Sequence, residues 1–96
     1  MADLKLISSH KRQLKPLVKA ALENELRLLE VGVRQAERNL QRFEEKYHLS
    51  TREFFLRYQN DELEETLELA EWVGEYRLLE RLKKKAEILK DIRFAN

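Results

Sequence analysis

Apolar side chains recur at alternating intervals of four and three residues through the first half of the chain. This spacing is a heptad repeat, by which an α-helix presents a continuous apolar seam to a neighbouring helix. It predicts a long helix over residues 14–48, with Pro16 in its first turn or at a kink. The seam of this helix consists of Leu22, Leu26, Leu29, Val33, Ala36, Leu40, Phe43 and Tyr47.

Two further helices are predicted in the second half of the chain. Ser50 opens a Ser-Thr-Arg-Glu motif, a capping box in which the serine hydroxyl and the glutamate carboxylate satisfy free backbone amides. This motif predicts a short helix over residues 50–59. Asn60 or Asp61 can then cap a third helix, predicted over residues 61–93. One face of the third helix carries Leu63, Leu67, Ala70, Gly74, Leu78, Leu82, Leu89 and Ile92.

The expected fold is all-α, with a single domain over the 96 residues. Two long helices joined by a short connecting helix form a long antiparallel helical hairpin, coiled-coil-like and self-associating into a bundle. Phe54, Phe55 and Tyr58 are expected to close one end of the hairpin. Gly74 is expected on the packed face, where a missing side chain allows close helix approach. Residues 1–13 form a basic arm that could be flexible.

Each long helix carries a second apolar stripe that a two-helix hairpin does not need. The stripe of the first helix is interrupted by Asn24, and that of the third contains Trp72 and Tyr76, residue types that anchor protein interfaces. We expect these stripes to mediate self-association into a dimer or higher oligomer, to dock a different protein, or both. The self-association residues are Leu14, Leu17, Ala21, Leu28 and Val31, and the second stripe is Leu69, Trp72, Val73, Tyr76 and Leu79.

The composition supports a helical protein without catalytic chemistry. Two histidines, no cysteine and only two glycines offer no convergent catalytic cluster, so no catalytic residue, no enzyme activity and no cofactor are expected. Glu45 and His48 form a Glu-x-x-His pair typical of di-iron bundles. His48 is expected at the end of a helix, however, so no metal site is predicted. The absence of a long apolar run or a signal-peptide core predicts a cytoplasmic protein without a membrane partner.

The net charge of +1 conceals a polarised distribution. Residues 61–75 contain seven acids and no base, whereas basic residues are frequent over 5–19. The basic arm gives one reading, a weak nucleic-acid binder. The acidic segment indicates a different function, the binding of a basic partner protein. Carboxylates at helical spacing can take the place of a nucleic-acid backbone in the basic cleft of such a partner. The residues predicted for partner binding are Glu64, Glu68, Glu71, Trp72, Glu75 and Tyr76.

Three segments resemble small helical antitoxin-like proteins encoded beside a toxin gene in prokaryotic toxin–antitoxin pairs, including those next to TumE-type toxins. They are residues 44–50 (Glu-Glu-Lys-Tyr-His-Leu-Ser), residues 53–54 (Glu-Phe) and residues 71–76 (Glu-Trp-Val-Gly-Glu-Tyr), followed by Leu79. His48 stands where such proteins tend to have glycine. The resemblance implies a non-enzymatic inhibitor that binds and neutralises a co-encoded toxin, and the acidic segment indicates that this toxin is basic. The alternative is a structural coiled-coil oligomerisation or adaptor protein.

Overall fold

The computed structural model describes residues 2–4 and 11–94. The long antiparallel hairpin with a short connecting helix is confirmed. The molecule measures 59 × 22 × 18 Å, and its radius of gyration is 18.9 Å, against about 12–13 Å for a compact domain of this length. In chain order the elements are β1 (Ala2–Leu4), α1 (Lys11–Tyr47), α2 (Thr51–Gln59), α3 (Leu67–Lys90) and β2 (Ile92–Phe94).

Two contacts define the register of the hairpin. Lys46 near the end of α1 pairs with Glu68 at the start of α3, with 2.7 Å between Nζ and Oε1. Further along, Gly32 lies against Leu82, whose nearest methyl is 3.2 Å from the place a Cβ would occupy. Residue numbers therefore rise along α1 as they fall along α3. At about 1.5 Å per residue, α3 ends beside roughly residue 24, and the first turns of α1 extend beyond it.

The predicted seam of α1 forms the core, as its heptad spacing indicated. Leu29, Ala36 and Leu40 are buried, and Val33 and Phe43 pack against the core from half-buried positions. This face of α1 is called the inner seam below.

The predicted face of α3 is wrong over its first half. Leu67 is 79% exposed, and a Cβ on Gly74 would meet no atom within 4 Å. Close helix approach occurs instead at Gly32. Four of the five buried residues of α3 belong instead to the second stripe, which is expected to mediate self-association or to dock a different protein, because the largest apolar side chains lose most by staying in water. They are Leu69, Trp72, Val73 and Leu79, and Ala86 is the fifth.

The third helix also begins six residues later than predicted. Asn60 caps the end of α2, donating its N–H to the carbonyl of Leu56 at 3.1 Å. Asp61 has a φ of 54°, the left-handed conformation that commonly ends a helix. Residues 60–66 form a loop, and Thr66 is the true N-cap, since its hydroxyl accepts the amide of Leu69 at 3.1 Å.

The outer ends of the hairpin differ from the prediction in two respects. The first long helix begins at Lys11 and continues through Pro16, so part of the expected basic arm is helical. Residues 2–4, also assigned to that arm, pair in parallel with residues 92–94, where a helix was expected. Ile-Arg-Phe has the β-branched and aromatic side chains that favour strands. Residues 1 and 5–10 of the arm lie outside the described residues.

The corner between α1 and α2 is held by capping bonds. Ser50 accepts the amide of Glu53 on its hydroxyl at 3.1 Å, which confirms one half of the capping box. The carboxylate of Glu53 turns instead to Arg57, at 3.2 Å. A carboxylate of α1 supplies the second cap, because Glu44 accepts the amide of Thr51 at 2.6 Å. A negative charge at this position also favours the positive end of the α2 dipole.

An aromatic cluster closes this end of the hairpin. Trp72 is completely buried and stacks on Phe54, with ring centroids 3.8 Å apart and planes 3° from parallel. Phe43 and Tyr47 each lie 5.4 Å from the same indole. The indole Nε1–H donates to the hydroxyl of Thr51 at 3.0 Å, and Thr51 is the one polar residue buried in the described part of the chain.

Two more aromatic residues of α2 complete the predicted closure. Phe55 and Tyr58 are half-buried against the core. Phe55 contacts Tyr76 at 4.9 Å between ring centroids. The expectation that Phe54, Phe55 and Tyr58 close the hairpin is therefore confirmed.

Replacement of Thr51 by valine tests the buried hydrogen bond. Thr51→Val keeps the shape of the side chain but leaves the indole N–H without a partner, which should lower the free energy of unfolding by about 1–3 kcal/mol. Urea unfolding followed by circular dichroism measures this loss. Thr51→Ser, which keeps the hydroxyl and loses one methyl, should cost less than Thr51→Val. Equal stability of the valine variant and the wild type would contradict the assigned role of the bond.

Candidate functional site

A groove of about 620 Å³ runs between α1 and α3 near the closed end of the hairpin. Three of the six predicted partner-binding residues line it, spaced three and four residues apart along α3. The residues lining this groove, called the acidic groove below, are Asn39, Arg42, Phe43, Lys46, Glu68, Glu71, Gly74 and Glu75.

Glu68 fixes one end of the acidic groove. Its carboxylate pairs with Lys46 at 2.7 Å and accepts the hydroxyl of Tyr47 at 2.6 Å. These hydrogen bonds, from Lys46 first and Tyr47 second, lower the pKa of Glu68. The same bonds to Glu68 raise the pKa values of Lys46 and Tyr47. The charge of Glu68 thus joins α3 to α1 and is largely neutralised.

Glu71 and Glu75 carry the remaining negative charge of the groove. Glu75 accepts the side-chain amide of Asn39 at 2.9 Å, a neutral donor that leaves the carboxylate charged. Glu71 is exposed. Neither acid has an ion pair with a residue in the part of the chain that the structure describes. Arg42, on the α1 side, adds one positive charge to the same groove.

Gly74 makes the groove accessible between its two acids. The residue is exposed, and the space that a Cβ would enter is open. A larger side chain at this position would therefore occupy space beside Glu71 and Glu75 rather than strain the hairpin.

The other three predicted partner-binding residues lie elsewhere. Trp72 is buried beneath the surface, so the prediction that it anchors a partner is wrong, because its indole anchors the hairpin itself. Tyr76 faces a different recess, which it shares with Glu37 and Leu79 among others. Glu64 is exposed in the loop of residues 60–66. Trp72 follows Glu71 by one position, and Tyr76 follows Glu75 in the same way. One position is a rotation of about 100° around the helix, so these two side chains point inward instead of into the groove.

Sequence reasoning missed the α1 side of the groove. Asn39 and Lys46 lie beside the inner seam, at positions that flank a coiled-coil interface, and Arg42 lies between them in sequence on the same side of α1. The available signal was the pair of basic residues Arg42 and Lys46, four positions apart near the end of α1, and the acidic start of α3, which an antiparallel hairpin brings together.

A second feature lies on the opposite side of α1. The predicted self-association stripe faces away from α3, and we call it the outer seam. Leu17 is 67% exposed, Leu28 59% and Val31 50%. Ala21 is exposed as well, and Leu14 is half-buried. The outer seam is therefore an apolar surface that the hairpin leaves uncovered.

The described residues offer neither a cluster of metal ligands nor a membrane-spanning helix. Within residues 2–4 and 11–94, no three His, Cys, Asp or Glu side chains converge as metal ligands would. His48 ends α1 with a φ of 52°, in the left-handed region that favours glycine. None of the helices in these ranges combines the length and apolar content needed to cross a bilayer.

Comparison of the chain with protein-family models, curated proteins and solved structures found no match. Any assignment of function therefore rests on the surfaces described above. The resemblance to antitoxin-like proteins rests on the quoted sequence segments alone.

The pairing of Glu68 predicts a pH dependence of stability. Because the folded state lowers the pKa of Glu68 below its ordinary value of 4.5, its contribution is fully present above that pH and is lost as the pH falls through the lowered pKa. Urea midpoints measured from neutral to acidic pH should fall for the wild type and fall less for Glu68→Gln. Glu64→Gln, in the exposed loop, should retain the wild-type profile. Identical profiles for Glu68→Gln and the wild type would contradict the assignment.

Proposed function

We propose that the protein is a non-enzymatic protein–protein interaction module, and that it acts as an antitoxin-like inhibitor of a co-encoded, basic toxin. The observation that carries this proposal is the acidic groove, where Glu71 and Glu75 flank Gly74 in sequence and neither has an ion pair with any residue of 2–4 or 11–94. We propose a cytoplasmic location for this activity. The resemblance to antitoxin-like proteins supports the identity of the partner, and the groove supports the mode of binding.

The chemistry of the groove suits a basic side chain. A toxin that acts on nucleic acid must hold phosphates with Lys and Arg, and a carboxylate can bind an arginine of such a cleft through two parallel hydrogen bonds. Glu71 and Glu75 are separated by one helical turn, about 6 Å. Half-buried Phe43 lines the same groove and offers an aromatic surface on which a guanidinium can stack.

A second candidate function is a structural coiled-coil oligomerisation or adaptor protein. The exposed outer seam favours it, since a heptad seam is a surface for another helix. The third, weak nucleic-acid binding, depends on basic N-terminal residues, and Lys5 among them lies outside the described part of the chain.

Variants of the acidic groove test the inhibitor proposal. Gly74→Leu should fill the groove without destabilising the hairpin, because leucine is about 1 kcal/mol better than glycine in a helix. We expect it to weaken binding to the product of the adjacent gene by at least about tenfold. Glu71→Gln combined with Glu75→Gln should slow association and flatten its salt dependence. Co-purification followed by surface plasmon resonance measures both.

A charge-matched control distinguishes the groove from net charge. Glu80→Gln combined with Glu87→Gln removes two exposed acids from the same helix outside the acidic groove, and it should leave the association rate nearly unchanged. Equal slowing by both double variants would show that the groove is not the binding site. Failure of the two gene products to associate at all would refute the inhibitor proposal.

A further inference from the structure

The outer seam repeats with the spacing of a coiled coil. Together with Asn24, which interrupts it, the outer seam occupies six positions, 14, 17, 21, 24, 28 and 31, separated by three, four, three, four and three residues. Asn24 is the one polar member. The inner seam, which packs on α3, is separated from the outer seam by about 150° around the axis of α1, counted with 3.5 residues per turn. The hairpin therefore cannot cover the outer seam by any small adjustment of its own packing.

We propose that the outer seam is a homodimerisation surface, on which a second copy of the chain packs antiparallel about a two-fold axis between Ala21 and Asn24. The dimer concerns a surface separate from the acidic groove and does not depend on the proposed inhibitor function. Closed two-fold pairing, in which both copies use the same surface, is the commonest form of homo-oligomer.

Self-complementarity of the side chains supports this register. In an antiparallel coiled coil, each layer of the core pairs a residue at heptad position a of one helix with a residue at position d of the other. With the axis between Ala21 and Asn24, Leu17 meets Leu28 of the second copy, and Leu14 meets Val31. Asn24 lies across from Ala21, whose small side chain leaves room for the amide. A polar residue within an apolar seam is a common device for fixing the register of such pairs.

Charge complementarity along the flanks supports the same arrangement. On one flank, Arg27 faces Ala20 of the second copy, with Glu23 of that copy one turn further along. On the other flank, Glu25 faces Val18, so the register sets no two like charges directly opposite. The two-fold axis repeats each contact. Arginine is long enough to pass a facing alanine and reach a carboxylate one turn away, and pairs of this kind select a register.

The parallel, in-register alternative lacks these features. It would set Arg27 against Gly32 and Glu25 against Ala20 of the second copy, so neither flank would have an opposite-charge pair. It would also place Asn24 against Asn24. The charges therefore favour the antiparallel dimer, in which the two closed ends point away from each other.

The antiparallel dimer has a distinct shape and a limited strength. Its long dimension should be roughly 80 Å, because Tyr47 lies about 37 Å from the axis in each copy, whereas a parallel dimer would keep the 59 Å of one chain. The seam extends over about 26 Å of helix, which is short for a coiled coil. We therefore expect dissociation in the micromolar range.

Disulfide trapping tests the register, since the chain has no cysteine of its own. In the double variant Leu17→Cys, Leu28→Cys, the antiparallel dimer brings the two cysteines of different copies together. Within one chain they lie about 16 Å apart along α1, too far to bridge. We expect mild oxidation to convert the double variant to a covalent dimer and to leave Leu28→Cys alone largely monomeric. Rapid cross-linking of the single variant would overturn the antiparallel register.

Sedimentation equilibrium tests the dimer itself, without any other protein. The wild type should dimerise at micromolar concentrations, and Leu28→Glu should raise the dissociation constant at least about tenfold while circular dichroism stays unchanged. Leu67→Glu is the matched control, because Leu67 is an equally apolar, exposed residue on the far side of α3, and it should still dimerise. A monomeric wild type, or loss of the dimer in both variants, would overturn the proposal.

Discussion

The hydrogen-bonded, stacked environment of Trp72 determines how the three helices fit together. Its indole comes from α3, it stacks on Phe54 of α2, and its N–H is bound by Thr51, also of α2. The amide of Thr51 is in turn held by Glu44 of α1. A single continuous set of contacts thus connects all three helices at the closed end. An aromatic side chain of this size gains a large free energy on burial, so it decides which face of α3 turns inward.

The surface of the hairpin follows from that choice. With Trp72 inward, the side of α3 that carries Leu67 and Gly74 turns outward, and Glu71 and Glu75 come to the edge of the acidic groove. The outer seam lies toward the other end of α1, centred about 30 Å from the groove. In the proposed dimer the two grooves would be at the far ends of the assembly, so self-association and partner binding would not compete.

The two long helices differ in how far their sequences allowed prediction. The first has one strong heptad seam, and Leu29, Ala36 and Leu40 are buried as its spacing indicated. The third has two stripes of similar strength, and periodicity alone cannot choose between them, because the choice depends on the fit of Trp72 against α2. The start of α3 was difficult to predict for a similar reason, because Asn60 and Thr66 are both residue types that cap a helix. In the structure Thr66 is the N-cap of α3, and Asn60 ends α2. The strand pair and the acidic groove depend on residues distant in sequence, whose register only the folded chain defines.

The position of Trp72 also makes the chain its own local spectroscopic reporter. It is the only tryptophan of the 96 residues, and its ring neighbours all belong to the closed end. Indole emission therefore responds to that end, whereas far-ultraviolet ellipticity averages over all helical residues. Melting curves recorded by the two signals coincide only if both ends unfold as one cooperative unit. Any gap between the curves would measure how far the overhanging first turns of α1 melt independently of the tryptophan cluster.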